Sequence, residues 1–156
     1  MKRVWAIIFL TGLVRAASIA SASDATISSD ELELQDNAEV SIFKGHVILK
    51  QDAYEIHADR MVRTKKTGIV HAVGHVVGRW ISEKGEKVRI EGDSAVYQPV
   101  HKTVDVDAKP QVSVFIESVQ GNSTFHGDRG WADVAAPGKA RLMGHVTGHV
   151  IPAGAA

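Results

Sequence analysis

Histidine and aspartate are the residue types in this 156-residue chain that could do chemistry, because both recur at regular spacing. Two histidine pairs have members four residues apart, which places both imidazoles of a pair on one face of a β-strand. The pairs are His71 with His75 and His145 with His149. Imidazoles on neighbouring strands can bind zinc. However, equivalent positions elsewhere in the chain carry serine, glutamate or glutamine. Such positions are typical of a solvated outer face, so no metal site is predicted.

Four aspartates end copies of one short phrase: a large apolar residue, any residue, a small residue, then aspartate. The copies read I-S-S-D, I-H-A-D, I-E-G-D and F-H-G-D, and they end at Asp30, Asp59, Asp93 and Asp128. An aspartate that recurs at one place in a repeat is typical of a turn or a backbone cap. Glycoside chemistry needs two carboxylates about 5 to 9.5 Å apart in a cleft, and no spacing here implies such a pair.

Other catalytic signatures are missing from the sequence. The chain has no cysteine, no G-x-S-x-G, no H-E-x-x-H and no G-x4-G-K-[ST] phosphate loop. We therefore expect no enzymatic activity and no cofactor. The 18 basic and 18 acidic residues give a formal net charge of zero, whereas nucleic-acid binders normally carry a strong basic excess. This balance excludes nucleic acid as an expected partner.

A second phrase, apolar-x-Gly-x-Val, interleaves with the first. It occurs around Gly45, Gly74 and Gly144, and A-K-P-Q-V around Pro110 is a variant with proline in the glycine slot. Both phrases recur every 29 to 36 residues. Self-similarity at this period indicates stacked copies of one supersecondary unit.

Period-two alternation predicts that the repeated unit is made of β-strands. Between Val104 and Ile116, apolar residues alternate with polar ones, which predicts one long half-buried strand or two strands joined at a kink. Glycines inside strands mark sharp bends or close backbone contacts. We therefore predict an all-β protein, a rolled V-shaped sheet of about four repeats with an apolar inside. Isolated bulges in an ordinary sandwich are the alternative.

The amino terminus has the features of an export signal. Lys2 and Arg3 precede an apolar run, and the small residues Ala20-Ser21-Ala22 follow it. The run is too short to cross a bilayer, which takes about 20 apolar residues. We expect residues 1–22 to be a cleavable signal peptide and residues 23–156 to form a single domain.

Taken in order from Ile27 to Val150, the repeated phrases resemble the OstA-like lipopolysaccharide-transport family, and most closely its small periplasmic member. The resemblance is carried by I-S-S-D-E-L, F-K-G-H-V-I-L, I-H-A-D, A-V-G-H-V and I-E-G-D-S-A-V-Y. It implies a twisted, open antiparallel β-jelly roll in the Gram-negative periplasm, with an apolar groove that shields the acyl chains of lipid A. It also implies head-to-tail assembly and a bridge, through the sheet ends, between inner-membrane-anchored and outer-membrane transport proteins.

Strand parity predicts which residues line the groove. The residues expected on its inner face are Ile27, Val47, Leu49, Ile56, Val76, Ile90, Val112, Val114, Phe125 and Val146. Parity shows which face is apolar, but it does not show whether lipid or other side chains cover that face. A structural β-solenoid scaffold that binds no lipid is therefore the alternative function. A scaffold should fill its interior completely, whereas a lipid carrier should keep an accessible apolar trough.

A basic run at Arg60, Arg63, Lys65 and Lys66 has two interpretations. It is either the solvated tip of a hairpin around Thr67-Gly68 or a contact for lipid phosphates at the mouth of the groove. The sequence does not decide between them.

Overall fold

The protein is described here from a computed structural model, which covers residues 25–134 and 139–154. In these residues the chain forms ten antiparallel strands and no helix, so no helix there could cross a membrane. The strands are β1 (Thr26–Ser28), β2 (Glu31–Gln35), β3 (Val40–Gln51), β4 (Tyr54–Thr64), β5 (Val70–Ile81), β6 (Lys87–Gln98), β7 (Thr103–Ser118), β8 (Gly121–Asp133), β9 (Lys139–Met143) and β10 (Thr147–Pro152).

The strands form one sheet in which β3 to β8 pair in chain order. At one end β1 and β2 both pair with β3, and at the other end β9 and β10 both pair with β8. Within the described residues no pairing joins the first two strands to the last two, so the sheet is unclosed. The predicted all-β, open antiparallel fold is confirmed. The signal predicted at residues 1–22 lies outside the described residues.

Register shifts divide every long strand into two segments. In β3 the shift falls between Lys44 and Val47, and in β5 between Val73 and Val76. The predicted kink in β7 lies between Asp107 and Val112, around the proline variant of the phrase. One set of segments, the β2–β9 arm, comprises β2, 40–44, 60–64, 70–73, 94–98, 103–107, 129–133 and β9. The other set, the β1–β10 arm, comprises β1, 47–51, 54–58, 76–81, 87–92, 112–118, 121–127 and β10.

The two arms face each other across one apolar core. A methyl group added at Gly130, on the β2–β9 arm, would lie 2.7 Å from Ile90 Cδ1 and 3.0 Å from Val112 Cγ1 of the other arm. The Tyr97 hydroxyl also crosses between the arms and donates a hydrogen bond to the Gln51 side chain. Because the bends bring the inner faces of the arms together, the sheet is curled around its own side chains.

Alternating burial along the strands shows why this sequence forms a curled sheet with one apolar inner face. In β5 every second residue from Val70 to Trp80 is buried or half-buried, and its neighbours are mostly exposed. Every long strand contributes buried residues to one cluster, in which the rings of Tyr54 and Trp80 stack with centroids 5.1 Å apart. Burial of apolar side chains, at about 25 cal/mol per Å², therefore holds together a domain without disulfides.

Candidate binding clefts between the two arms

Three of the bends, in β3, in β5 and between β9 and β10, are each made by two consecutive residues in the left-handed region. Gly74 has a φ of +85° and His75 a φ of +47°. Gly45–His46 and Gly144–His145 repeat the pattern, with φ values of +77° and +46°, and +74° and +43°. Glycine adopts this conformation without steric cost, which explains its fixed place in the phrase.

The recurring aspartates hold these bends. Oδ2 of Asp30, Asp59 and Asp128 lies 2.7, 2.7 and 2.8 Å from Nδ1 of the histidine of the corresponding bend. Asp93, opposite the proline variant, instead accepts a hydrogen bond of 2.8 Å from the Lys109 backbone N–H. The sequence predicted a structural role for the aspartates, in a turn or as a backbone cap; Asp93 does bind a backbone N–H, whereas the other three carboxylates bind an imidazole.

The partner histidines are exposed, as predicted. The hydrogen bond to the carboxylate, followed by its charge, raises the pKa of His46, His75 and His145 above the ordinary value of 6.5. In the part of the chain that the structure describes, no three histidine or acidic side chains are grouped so that they could hold a metal ion. The sequence did contain a signal for these pairs, since each aspartate precedes its histidine by 16 or 17 residues.

The apolar inner face continues to both edges of the sheet. On β2, Leu32 is paired with Phe43 on this face, and Leu32 and Leu34 are 55% and 56% exposed. On β10, Val150 is 61% exposed. Large apolar side chains of an inner face are normally covered, so their exposure leaves apolar surface open at both edges of the sheet.

The C-terminal cleft is a space of about 290 Å³ between the arms, beside β9. Its polar lining residues are Ser82, Glu86 and Arg141. Its apolar lining comprises Trp80, Val88, Val114, Ile116, Phe125, Ala140, Leu142 and Val146.

The N-terminal cleft is a space of about 380 Å³ between the arms, beside β1. Two cationic residues, Arg63 and Lys102, share it with the buried Gln51. The remaining lining comprises Ala25, Ile27, Leu49, Gly68, Val70, Tyr97 and Pro99.

A larger space of about 670 Å³ lies along the outer end of the β1–β10 arm. Its lining mixes charges of both signs, including Glu55, Arg79 and Glu117, and the Arg89 guanidinium lies 4.3 Å from the centre of the Phe115 ring. This charged surface suits apolar chains less well than the C-terminal cleft.

The predicted groove residues fall into two groups. Ile27 and Leu49 line the N-terminal cleft, and Val114, Phe125 and Val146 line the C-terminal cleft. The others lie in the packed core, at 0 to 2% exposure: Val47, Ile56, Val76, Ile90 and Val112. Val146 is 52% exposed and lies in the bend between β9 and β10 rather than in a strand, so strand parity does not describe its position.

Several residues of the clefts were not selected from the sequence. Trp80 and Leu142 line the C-terminal cleft, and Tyr97 lines the N-terminal cleft. Leu142 was recognisable, because it alternates with Gly144 in the last repeated phrase. Trp80 and Tyr97 share the inward parity of their strands, but their position at an opening depends on how the arms pack.

Comparisons with known proteins agree with this architecture. Residues 26–136 match the family model described as "LptA/(LptD N-terminal domain) LPS transport protein". Among solved structures, LptH of Pseudomonas aeruginosa, described as the LptA homologous periplasmic component of a lipopolysaccharide transport device, superposes with a TM-score of 0.67 at 16% identity. The match covers 83% of this chain and 96% of LptH. No curated protein is significantly similar in sequence.

The structural match at 16% identity shows the fold, a curled LptA-like jelly roll. The family match spans more than half of the chain and describes transport proteins, which confirms the prediction that the chain is not an enzyme. Its repeated phrases, its unclosed sheet and the family match agree: the chain belongs to the LptA and LptD N-terminal domain family of lipopolysaccharide-transport proteins, the OstA-like family that its sequence resembles.

Proposed function

We propose that this protein is a periplasmic lipopolysaccharide-binding transport protein that shields the acyl chains of lipid A between its two arms. The observation that carries the proposal is an apolar inner face that stays open at both edges, with a cleft between the arms at each end. The export signal expected at residues 1–22 supports the location, as does the family to which the chain belongs.

Binding by apolar area suits transport. Each methylene removed from water contributes about 0.8 kcal/mol, so several acyl chains favour an open cleft without specific polar contacts. The clefts are separated by packed residues such as Val47, Ile56 and Ile90. Acyl chains would therefore first contact cleft residues such as Val114 and Phe125. They would reach the centre only when the arms move apart.

We further propose that the sheet ends mediate the bridge to other transport proteins and head-to-tail assembly of this chain. An edge strand offers unpaired backbone groups to an added strand. The edge formed by β2 carries Glu31 and Glu33, whereas the opposite edge formed by β9 carries Lys139 and Arg141. These opposite charges favour contact between unlike ends.

Photo-crosslinking tests lipid binding, because adjacent strand residues point to opposite faces. A crosslinker at Phe125, in the C-terminal cleft, should capture lipopolysaccharide. The matched control is His126, whose ring contacts Ser113 Oγ at 2.9 Å on the outer face. Crosslinkers at Ile56 and Ile90 then report whether lipid reaches the centre. Equal capture at Phe125 and His126 would contradict a two-faced sheet. Absence of capture at every inner position would favour the scaffold.

A further inference from the structure

Arg63 is the one charged residue at a paired, inward-facing strand position within residues 25–134 and 139–154. Its neighbours across the ladder are Ser41 and Val70, and Val70 pairs in turn with Tyr97. Residues directly opposite one another share a face, and Val70 and Tyr97 are both in the core. Arg63 therefore points inward, a position that the sequence had left open between a solvated hairpin tip and the mouth of the groove.

The Arg63 side chain has no protein partner among the residues that the structure describes. It is half-buried, and it makes no hydrogen bond or ion pair with any residue in the described ranges. A charge removed from water is costly unless it is paired, so an unpaired inward guanidinium needs a physical reason. At the N-terminal cleft it lies with Lys102, and the described lining contains no carboxylate. The Asp52 charge acts on Tyr97 from outside this lining.

Arg60 shows the contrasting arrangement on the same strand. It is exposed, pairs with Lys44 in the ladder, and its charge helps to lower the pKa of Glu33, after the hydrogen bonds from Lys44 and Gln35. Arg60 therefore belongs to the outer face and to its network of charges. The basic run is therefore shared between the two faces of the sheet: Arg60 lies on the outer face and Arg63 on the inner face.

The C-terminal cleft, at the other end of the sheet, has one acidic and one basic residue in its lining. In this lining, Glu86 is half-buried, and the Arg141 guanidinium lies 5.6 Å from the centre of the Trp131 ring. The described lining of the N-terminal cleft is therefore more positively charged than that of the C-terminal cleft, so an anionic group is favoured at the N-terminal cleft.

We propose that the N-terminal cleft is a phosphate subsite. Arg63 and Lys102 would bind a phosphate of the lipid head group, while an adjoining acyl chain lies against Ile27 and Leu49. Guanidinium presents a planar fork that binds phosphate through two hydrogen bonds, and the Lys102 ammonium adds a point charge. This inference rests on the proposed function, because it assumes that lipid enters between the arms.

Binding of lipid A with and without its phosphates tests the subsite. With the purified protein, the Arg63→Gln substitution should weaken binding of phosphorylated lipid A about tenfold and leave binding of the dephosphorylated lipid unchanged. Lys102→Asn should have a smaller effect of the same kind, and asparagine tolerates the Lys102 φ of +52°. The matched control, Arg60→Gln, removes the same charge from the outer face and should change neither affinity.

The outcomes separate this inference from the proposed function. If the unsubstituted protein binds neither lipid, the proposed function is wrong. If it binds both and Arg63→Gln weakens both equally or neither, lipid binding stands and the phosphate subsite is overturned. If the protein binds inorganic phosphate but has the same affinity for phosphorylated and dephosphorylated lipid A, the phosphate subsite is also overturned. The thermal midpoint of each variant shows whether it remains folded. Removal of an unpaired inward charge should leave the midpoint unchanged or raise it. Lys102→Asn, in a turn, provides a second test if Arg63→Gln fails to fold.

Discussion

Nδ1 of His75 lies 2.7 Å from Oδ2 of Asp59, and this contact closes a bend at which Gly74 and His75 are both left-handed. Two of the three imidazoles also feel the carboxylate of the following repeat: the charge of Asp59 contributes to the raised pKa of His46, and that of Asp93 to the raised pKa of His75. The outer crease of the sheet therefore carries alternating acidic and imidazole groups. Protonation of these histidines is thereby linked to folding.

The first prediction is that the protein loses stability as pH rises above about 6.5. The pKa of the bend histidines is raised in the folded state, so their contribution is fully present below the unfolded pKa and is lost as pH rises through the folded value. The free energy of unfolding, measured in urea from pH 5.5 to 8.5, should fall across the upper part of this range. All three histidines are exposed, so salt should reduce the effect.

The control is replacement of His46, His75 and His145 by asparagine. Asparagine tolerates the left-handed conformation and can still bond the carboxylate, but it does not titrate. This variant should show a flatter pH dependence over the same range. An unchanged slope would contradict a role for the bend histidines.

The second prediction concerns the glycine of the bend. A Cβ at Gly74 would lie 2.5 Å from Oδ2 of Asp59, and the φ of +85° disfavours any side chain. Gly74→Ala should cost about 2 to 4 kcal/mol, because steric strain adds to a conformational cost of about 1 kcal/mol. Gly85→Ala is the matched control: its φ is +79°, and no heavy atom lies within 4 Å of the added Cβ. Denaturation of both variants measures the two costs separately.

Local patterns predicted much of the fold. The alternation from Val104 to Ile116 predicted β7, and the proline at position 110 marked its kink. Gly45 and Gly74 marked bends because a left-handed residue strongly favours glycine. These properties depend on residues close in sequence, so one sequence was sufficient to recognise them.

The candidate site was less predictable, because it depends on how the arms pack. Parity placed both Ile90 and Phe125 inside, yet Ile90 is 1% exposed in the core and Phe125 borders a cleft. The division of the basic run depended on a register that the sequence does not display. The register shift just before Arg60 reverses the strand parity, so Arg63 rather than Arg60 lies on the inner face.

The third prediction tests the packed centre. Ile90 is 1% exposed, so Ile90→Asp places a carboxylate among apolar side chains and should destabilise the protein by several kcal/mol. Glu91→Ala, one residue along, removes an exposed ion pair in which Glu91 Oε1 lies 3.0 Å from Arg89 Nε. It should cost no more than about 1 kcal/mol. Similar losses in urea denaturation would contradict the assignment of faces.

The last prediction is that the edges, rather than the faces, mediate self-association. Val150 on β10 is 61% exposed. Val150→Asp should keep the monomer fold and lower the apparent mass in sedimentation at high protein concentration, because a charge on an edge strand opposes strand addition. Val100→Asp is the matched control, since Val100 is 83% exposed in the turn between β6 and β7. That variant should associate like the unsubstituted protein.

If both variants associate normally, the end-to-end arrangement is wrong. If both dissociate, added charge alone explains the effect, and the edges have no special role.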